Sequence, residues 1–132
     1  MNYPLPPDYS YMIHTTIDLQ QAAGSYDLFT GTLGDCLVGS VIVKLPNIDV
    51  SDDGVITGIS VQTDDVTPTI YISLVSGAVA NLTPEKHLAG YSSAIIQVGK
   101  KIQLTIAGGP ADVSTVCDVY AKVTSIDGGY LV

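Results

Sequence analysis

The sequence predicts an all-β domain, an antiparallel sandwich preceded by an extended arm, on three observations. Apolar and polar residues alternate with a period of two along several segments, as strands with one buried face require. Gly, Pro and Asp punctuate those segments about every 8 to 15 residues, the spacing of short strands joined by turns. Helix-forming charge is missing: of 13 acidic residues only Glu85 is a glutamate, and the five basic residues are all lysine. Asp favours turns and Glu favours helices, so this balance leaves no long solvated helix.

The first eleven residues, MNYPLPPDYSY, hold three of the seven prolines and three of the eight tyrosines. Pro4, Pro6 and Pro7 impose an extended, polyproline-like path. Tyr3, Tyr9 and Tyr11 are apt interface anchors, so residues 1–11 read as an arm for a neighbouring molecule and 12–132 as one domain. From Tyr11 the chain alternates, with Ile13, Thr15, Ile17 and Leu19 on one face and His14, Thr16, Asp18 and Gln20 on the other. A short strand follows over 26–31. The run 35–45 is apolar on both faces, as a central strand is, and Pro46 ends it.

After the Asp53-Gly54 turn, Val55, Thr57, Ile59, Val61 and Thr63 share a face. Ile70, Ile72 and Leu74 then alternate with Tyr71, Ser73 and Val75, which places Tyr71 outward. The stretch 78–90 reads either as a strand with a turn at Pro84 or as a helical turn, since Thr83-Pro84-Glu85 suits a helix N-terminus. Strands follow over 93–98, 101–107 and 114–126. In the last, Cys117, Val119, Ala121 and Val123 face one way and Asp118, Tyr120 and Lys122 the other. Asp127-Gly128-Gly129 stops it and leaves a Tyr130-Leu131-Val132 tail. Eight strands of this length favour an eight-stranded jelly-roll-like sandwich over an immunoglobulin type, which would want an inward Trp and a Cys pair.

Composition narrows the function. Charged residues are 14% of the chain, against about 25% in ordinary soluble proteins, so part of the surface is expected to lie against other chains. The net charge of −8 opposes binding to nucleic acid or to anionic membranes, and no apolar run is long enough to span a bilayer. The segment before Tyr11 has neither the basic nor the apolar region of a signal peptide. Cys36 and Cys117 are then expected to be buried free thiols, with a disulfide on facing strands as the alternative.

No motif supplies a catalytic centre. Asp49, Ser51 and Asp53 with Gly54 match the first half of a calcium-binding loop, but the twelfth position is Ser60 instead of a bidentate Glu. The segment therefore reads as a polar turn, with those three residues as the calcium candidates. His14 and His87 have no ligand-pair spacing with either cysteine. There is no GxSxG elbow, and Gly108-Gly109-Pro110 lacks the lysine of a phosphate cradle. No catalytic, cofactor-binding or metal residue is assigned. The interface candidates are Tyr3, Pro4, Pro6, Pro7, Tyr9 and Tyr11 in the arm, Tyr71 and Tyr120 on the sheet surface, and Tyr130 and Leu131 in the tail.

Three tracts, the arm, HTTIDLQQAAGSYDLFTG, and VGKKIQLTIAGGPADVSTVCDVYAKVTSIDGGYLV, carry a resemblance. Together they resemble small structural proteins of tailed bacteriophages: capsid decoration or cement proteins and related virion appendages. The resemblance implies a non-enzymatic homo-oligomer, commonly a trimer, without a cofactor. It implies contact with the major capsid protein or another virion component, synthesis in the host bacterial cytoplasm and a final place in the virion. A receptor- or glycan-binding module of a fibre or tail, using outward Tyr71 and Tyr120 or calcium, is the alternative. A hydrolase hidden in a jelly roll ranks third.

Overall fold

A computed structural model of the chain describes residues 9–132. Ten strands follow in order: β1 (Ser10–Asp18), β2 (Gly24–Thr32), β3 (Cys36–Lys44), β4 (Gly58–Thr63), β5 (Ile70–Ile72), β6 (His87–Gly90), β7 (Ala94–Ile96), β8 (Lys101–Ala107), β9 (Val116–Ser125) and β10 (Tyr130–Leu131). One 3-10 turn, Val79–Asn81, is the only helical element among the described residues. The first sheet runs β1-β9-β3-β6, with β7 also paired to β3; the second runs β10-β2-β8-β4-β5.

The two sheets are one long antiparallel ribbon rolled on itself. β1 pairs with β9, β2 with β8, β3 with β6 and β7, and β4 with β5, all antiparallel. β6 lies against Val41–Lys44 and β7 against Cys36–Val38, so together they fill one strand position beside β3. The ribbon therefore has eight strand positions wound into two sheets, a jelly roll, with β10 added at one edge. β1 begins at Ser10, so Ser10 and Tyr11 belong to the sandwich; residues 1–8 lie outside the described residues.

The core between the sheets is built by alternation. Leu104, Ile106, Val119, Val123 and Ile59 are fully enclosed or nearly so, as are the bulky Phe29, Leu19 and Leu45. Burying such a side chain contributes about 1.5–3 kcal/mol against exposure. In β3 the period breaks at Gly39: Val38 faces Val123 of β9 but Ser40 faces Lys122, so one extra residue bulges out. That bulge lets both the Cys36/Val38 and the Val41/Val43 pairs point inward.

Four loops gather at one end of the roll: 19–23, 45–57, 73–86 and 108–115. Leu19 exchanges backbone hydrogen bonds with Thr115 and Ala111, and Val50 bonds to Leu82. The shorter connections 33–35, 64–69 and 97–100 meet the tail at the other end, where Asp127 Oδ1 accepts from the Asp35 amide at 2.5 Å. Thr83-Pro84-Glu85-Lys86 is a turn, not a helix start. The Lys86 amide donates to the Thr83 carbonyl, and Glu85 has φ 59°, which with Pro84 before it is type II geometry.

Candidate assembly surface

At the edge where the sheets meet, Tyr9, Tyr11 and Tyr130 form an aromatic ladder. Ring centroids are 5.8 Å apart for Tyr9 and Tyr11 and 5.3 Å for Tyr11 and Tyr130, the latter pair stacked. The ladder exists because β1 and β10 are edge strands of opposite sheets. The Leu131 amide donates to the Tyr11 hydroxyl at 3.0 Å and ties the two edges together. Burial pushes the Tyr11 phenol above its usual range, with the Leu131 amide opposing that rise. The tail is thus strand β10, paired with β2 through Tyr130 opposite Thr32. Leu131 points into the core at 0% exposure and is no surface residue, while Tyr130 remains 39% exposed.

Tyr71 is also internal, against expectation. Its side chain enters the core and its hydroxyl donates to the Val38 carbonyl at 2.8 Å. β5 has Ile70 exposed and both Tyr71 and Ile72 buried, because the strand lies where the second sheet curls against β6. Gly90 of β6 permits that approach, since a Cβ there would sit 2.0 Å from the Tyr71 carbonyl oxygen. Tyr120 lies on the other sheet, so the two tyrosines make no common stacking platform.

The outer face of the first sheet carries Tyr120 in a row with His14, Ile42 and Ala89. The His14 and Tyr120 rings lie 4.8 Å apart, and His14 Nε2 is 2.8 Å from Asp118 Oδ1. Neighbouring rows are Thr16-Asp118-Lys44-His87, Met12-Lys122-Ser40 and Ser10-Thr124-Leu37-Ile95. Met12, Ile95 and Val116 are exposed on this face. The outer face of the second sheet is different in kind. Lys101 and Gln103 both bond Asp27, and Ser25 bonds Thr105 at 2.8 Å, so its polar groups satisfy one another.

Of the calcium candidates, Asp49 and Ser51 bond each other and Asp53 bonds loop 108–115. Asp49 Oδ1 accepts from both the amide and the hydroxyl of Ser51, which holds its carboxyl below the usual range, while Asp53 Oδ2 accepts from the Asp112 amide at 2.9 Å. Among the described residues no three His, Cys, Asp or Glu side chains gather where they could hold a metal ion. Cys36 and Cys117 are buried and free. Cys36 sits opposite Ser125 of β9, and Cys117 is eight residues back along that same strand. That is about 27 Å at strand rise, which excludes a disulfide within the chain. Among the described residues no helix is long and apolar enough to cross a membrane.

No protein-family model matches the chain, and no curated protein matches it in sequence. Solved structures do. A chain in the acidic stable capsid structure of Helicobacter pylori bacteriophage KHP30 superposes with a TM-score of 0.62 at 13% identity, covering 96% of this chain and 95% of that one. A chain of the cyanophage Pam1 capsid asymmetric unit gives a TM-score of 0.59 at 12% identity, covering 94% of this chain and 93% of that one. The chain has the jelly-roll fold of both. The jelly-roll-like sandwich expected from the sequence is thus the fold that these solved structures share with the chain. What the likeness establishes is the fold. The tyrosine ladder gave a partial signal in the sequence, as tyrosines near both ends, but the pairing of β1 and β10 across two sheets did not show there.

Proposed function

We propose that the chain is a non-enzymatic virion structural protein that binds and stabilises a phage capsid as a decoration or cement protein. The observation that carries this reading is mutual coverage. The chain and its two phage capsid neighbours match over 93–96% of both partners, so the likeness is to whole small chains and not to one domain of a large shell subunit. A single jelly roll of this size suits an added component of a shell.

The surface supports the same reading. Few charges and a half-apolar outer face on one sheet leave area suited to contact with other chains. Homo-oligomerisation, most simply as a trimer, fits such a chain, and many weak contacts around a shell add up to firm attachment. Residues 1–11 would serve as an arm. Tyr3, Pro4, Pro6 and Pro7 would be its contacts with a neighbour, and Tyr9, which follows them in the sequence, packs in the tyrosine ladder.

The test is co-sedimentation of the purified protein with empty expanded shells of its phage, with light scattering on the free protein. Saturable binding and an oligomer are expected. Absence of binding to shells at any stage of maturation would overturn the decoration role.

A further inference from the structure

We infer that the outer face of the first sheet binds the acidic loop end of a second copy of the chain, in a head-to-tail contact. This rests on the homo-oligomer reading above and names its surfaces. Three salt bridges occur among the described residues, His14–Asp118, Lys100–Asp65 and Lys101–Asp27. Lys44 and Lys122 therefore have no carboxylate partner among those residues, although both are exposed on one sheet face of a chain whose net charge is −8. Lys44 stands directly across from Asp118, but Asp118 is taken by His14. Beside the two lysines, Met12 is 57% and Ile95 56% exposed. A face with unpaired cations and uncovered apolar side chains fits a partner that is acidic and partly apolar.

The loop end of the same chain has that chemistry. Asp49, Asp52, Asp53, Glu85 and Asp112 cluster there with Lys86 as the one base among loops 45–57, 73–86 and 108–115. Loops 45–57 and 108–115 are held together by the Asp112 amide on Asp53. Val55 and Val113 project from them at 51% and 52% exposure. The two surfaces use different residues of one chain, meeting where Lys44 ends β3 beside loop 45–57, so pairing them between copies is heterologous, and such a contact closes into a ring when the rotation allows. Opposite charge favours this register and disfavours face against face or end against end.

The experiment uses the full chain and sedimentation velocity at low and high salt, with circular dichroism to verify folding. Lys44→Glu/Lys122→Glu and Asp52→Lys/Asp112→Lys are surface changes at exposed positions. Each alone is expected to weaken self-association at least tenfold, and the chain carrying all four changes, with the charges exchanged between the two surfaces, is expected to restore the oligomer. Salt is expected to weaken the wild-type oligomer, since exposed charges are screened. An oligomer that survives Lys44→Glu/Lys122→Glu unchanged overturns this contact while leaving the homo-oligomer reading intact. Loss of shell binding without loss of the oligomer also overturns it and gives the face to the shell. A wild-type protein that is monomeric at every concentration removes both readings.

Discussion

The Tyr71 hydroxyl donates to the Val38 carbonyl at 2.8 Å, joining β5 of one sheet to β3 of the other. It does so where the ladder beside β3 is broken between β6 and β7, next to the Gly39 bulge. Val38 is paired with Ala94 of β7 and with Val123 of β9, so the phenol adds a bond from the second sheet to this point of the core. Burial pushes the phenol up to about 12, so it stays a donor across the ordinary pH range.

Tyr71→Phe should keep the fold but cost about 1–2 kcal/mol, because the Val38 carbonyl would stay buried without this donor. Denaturant unfolding of both proteins checks it. A change below a few tenths of a kcal/mol would mean that the bond contributes nothing net.

Glu85 holds a left-handed conformation at φ 59°, where a residue with a Cβ is strained by roughly 1 kcal/mol. Its amide bond to the Pro46 carbonyl is a backbone contact that glycine would keep. Glu85→Gly should therefore raise stability by about 0.5–1 kcal/mol, seen as a higher melting temperature. A lower melting temperature would show that the side chain repays the strain.

How much was legible in the sequence depended on whether a strand kept its period. β1, β8 and β9 alternate without interruption, and their faces could be read directly, although the ends of β1 and β9 differ by one or two residues. β3 could be recognised as central, but its change of phase at Gly39 could not be located, since a bulge leaves no fixed residue signature. Tyr71 was misplaced because a three-residue strand at a curled edge has too few positions to define a face; its neighbour Ile70 took the exposed side. Glu85 misled in another way. Thr-Pro-Glu suits a helix start by composition, but the chain turns back at once, with the Lys86 amide on the Thr83 carbonyl and the Glu85 amide drawn to the Pro46 carbonyl. Of the proposed surface, the tyrosines and lysines were visible as residues, but which of them share a face was set by register alone.

Asp18 ties the end of β1 to loop 108–115. Its carboxylate accepts from Ser114 Oγ at 2.6 Å, from the Thr115 amide at 2.8 Å and from the Gln20 amide at 2.9 Å. The Ser114 bond first, then the backbone bonds, hold its pKa below the ordinary 3.8. A depressed carboxylate stabilises the folded state above its unfolded pKa, and that contribution is lost as pH falls through the lower folded value. Asp18→Ala should cost about 1–2 kcal/mol near neutral pH, with the gap from wild type narrowing below about pH 4. Urea midpoints across that range test it; a gap independent of pH would assign the loss to packing alone.

Both cysteines should be chemically silent until the protein opens. Burial pushes the Cys36 thiol up to about 11 and the Cys117 thiol up to about 12, with nearby Asp35 and Asp118 adding to the effect. The thiolate is the reactive form, so at about pH 8 almost none is present even where a reagent could reach it. Burial at 0% exposure for both removes that access as well. A disulfide-exchange reagent should therefore label neither residue in the native protein and both in denaturant, with a native rate set by global opening. Labelling of Cys36 alone under native conditions would instead place local opening at the β3–β7 edge, the shorter of the two ladders that cover β3 on that side.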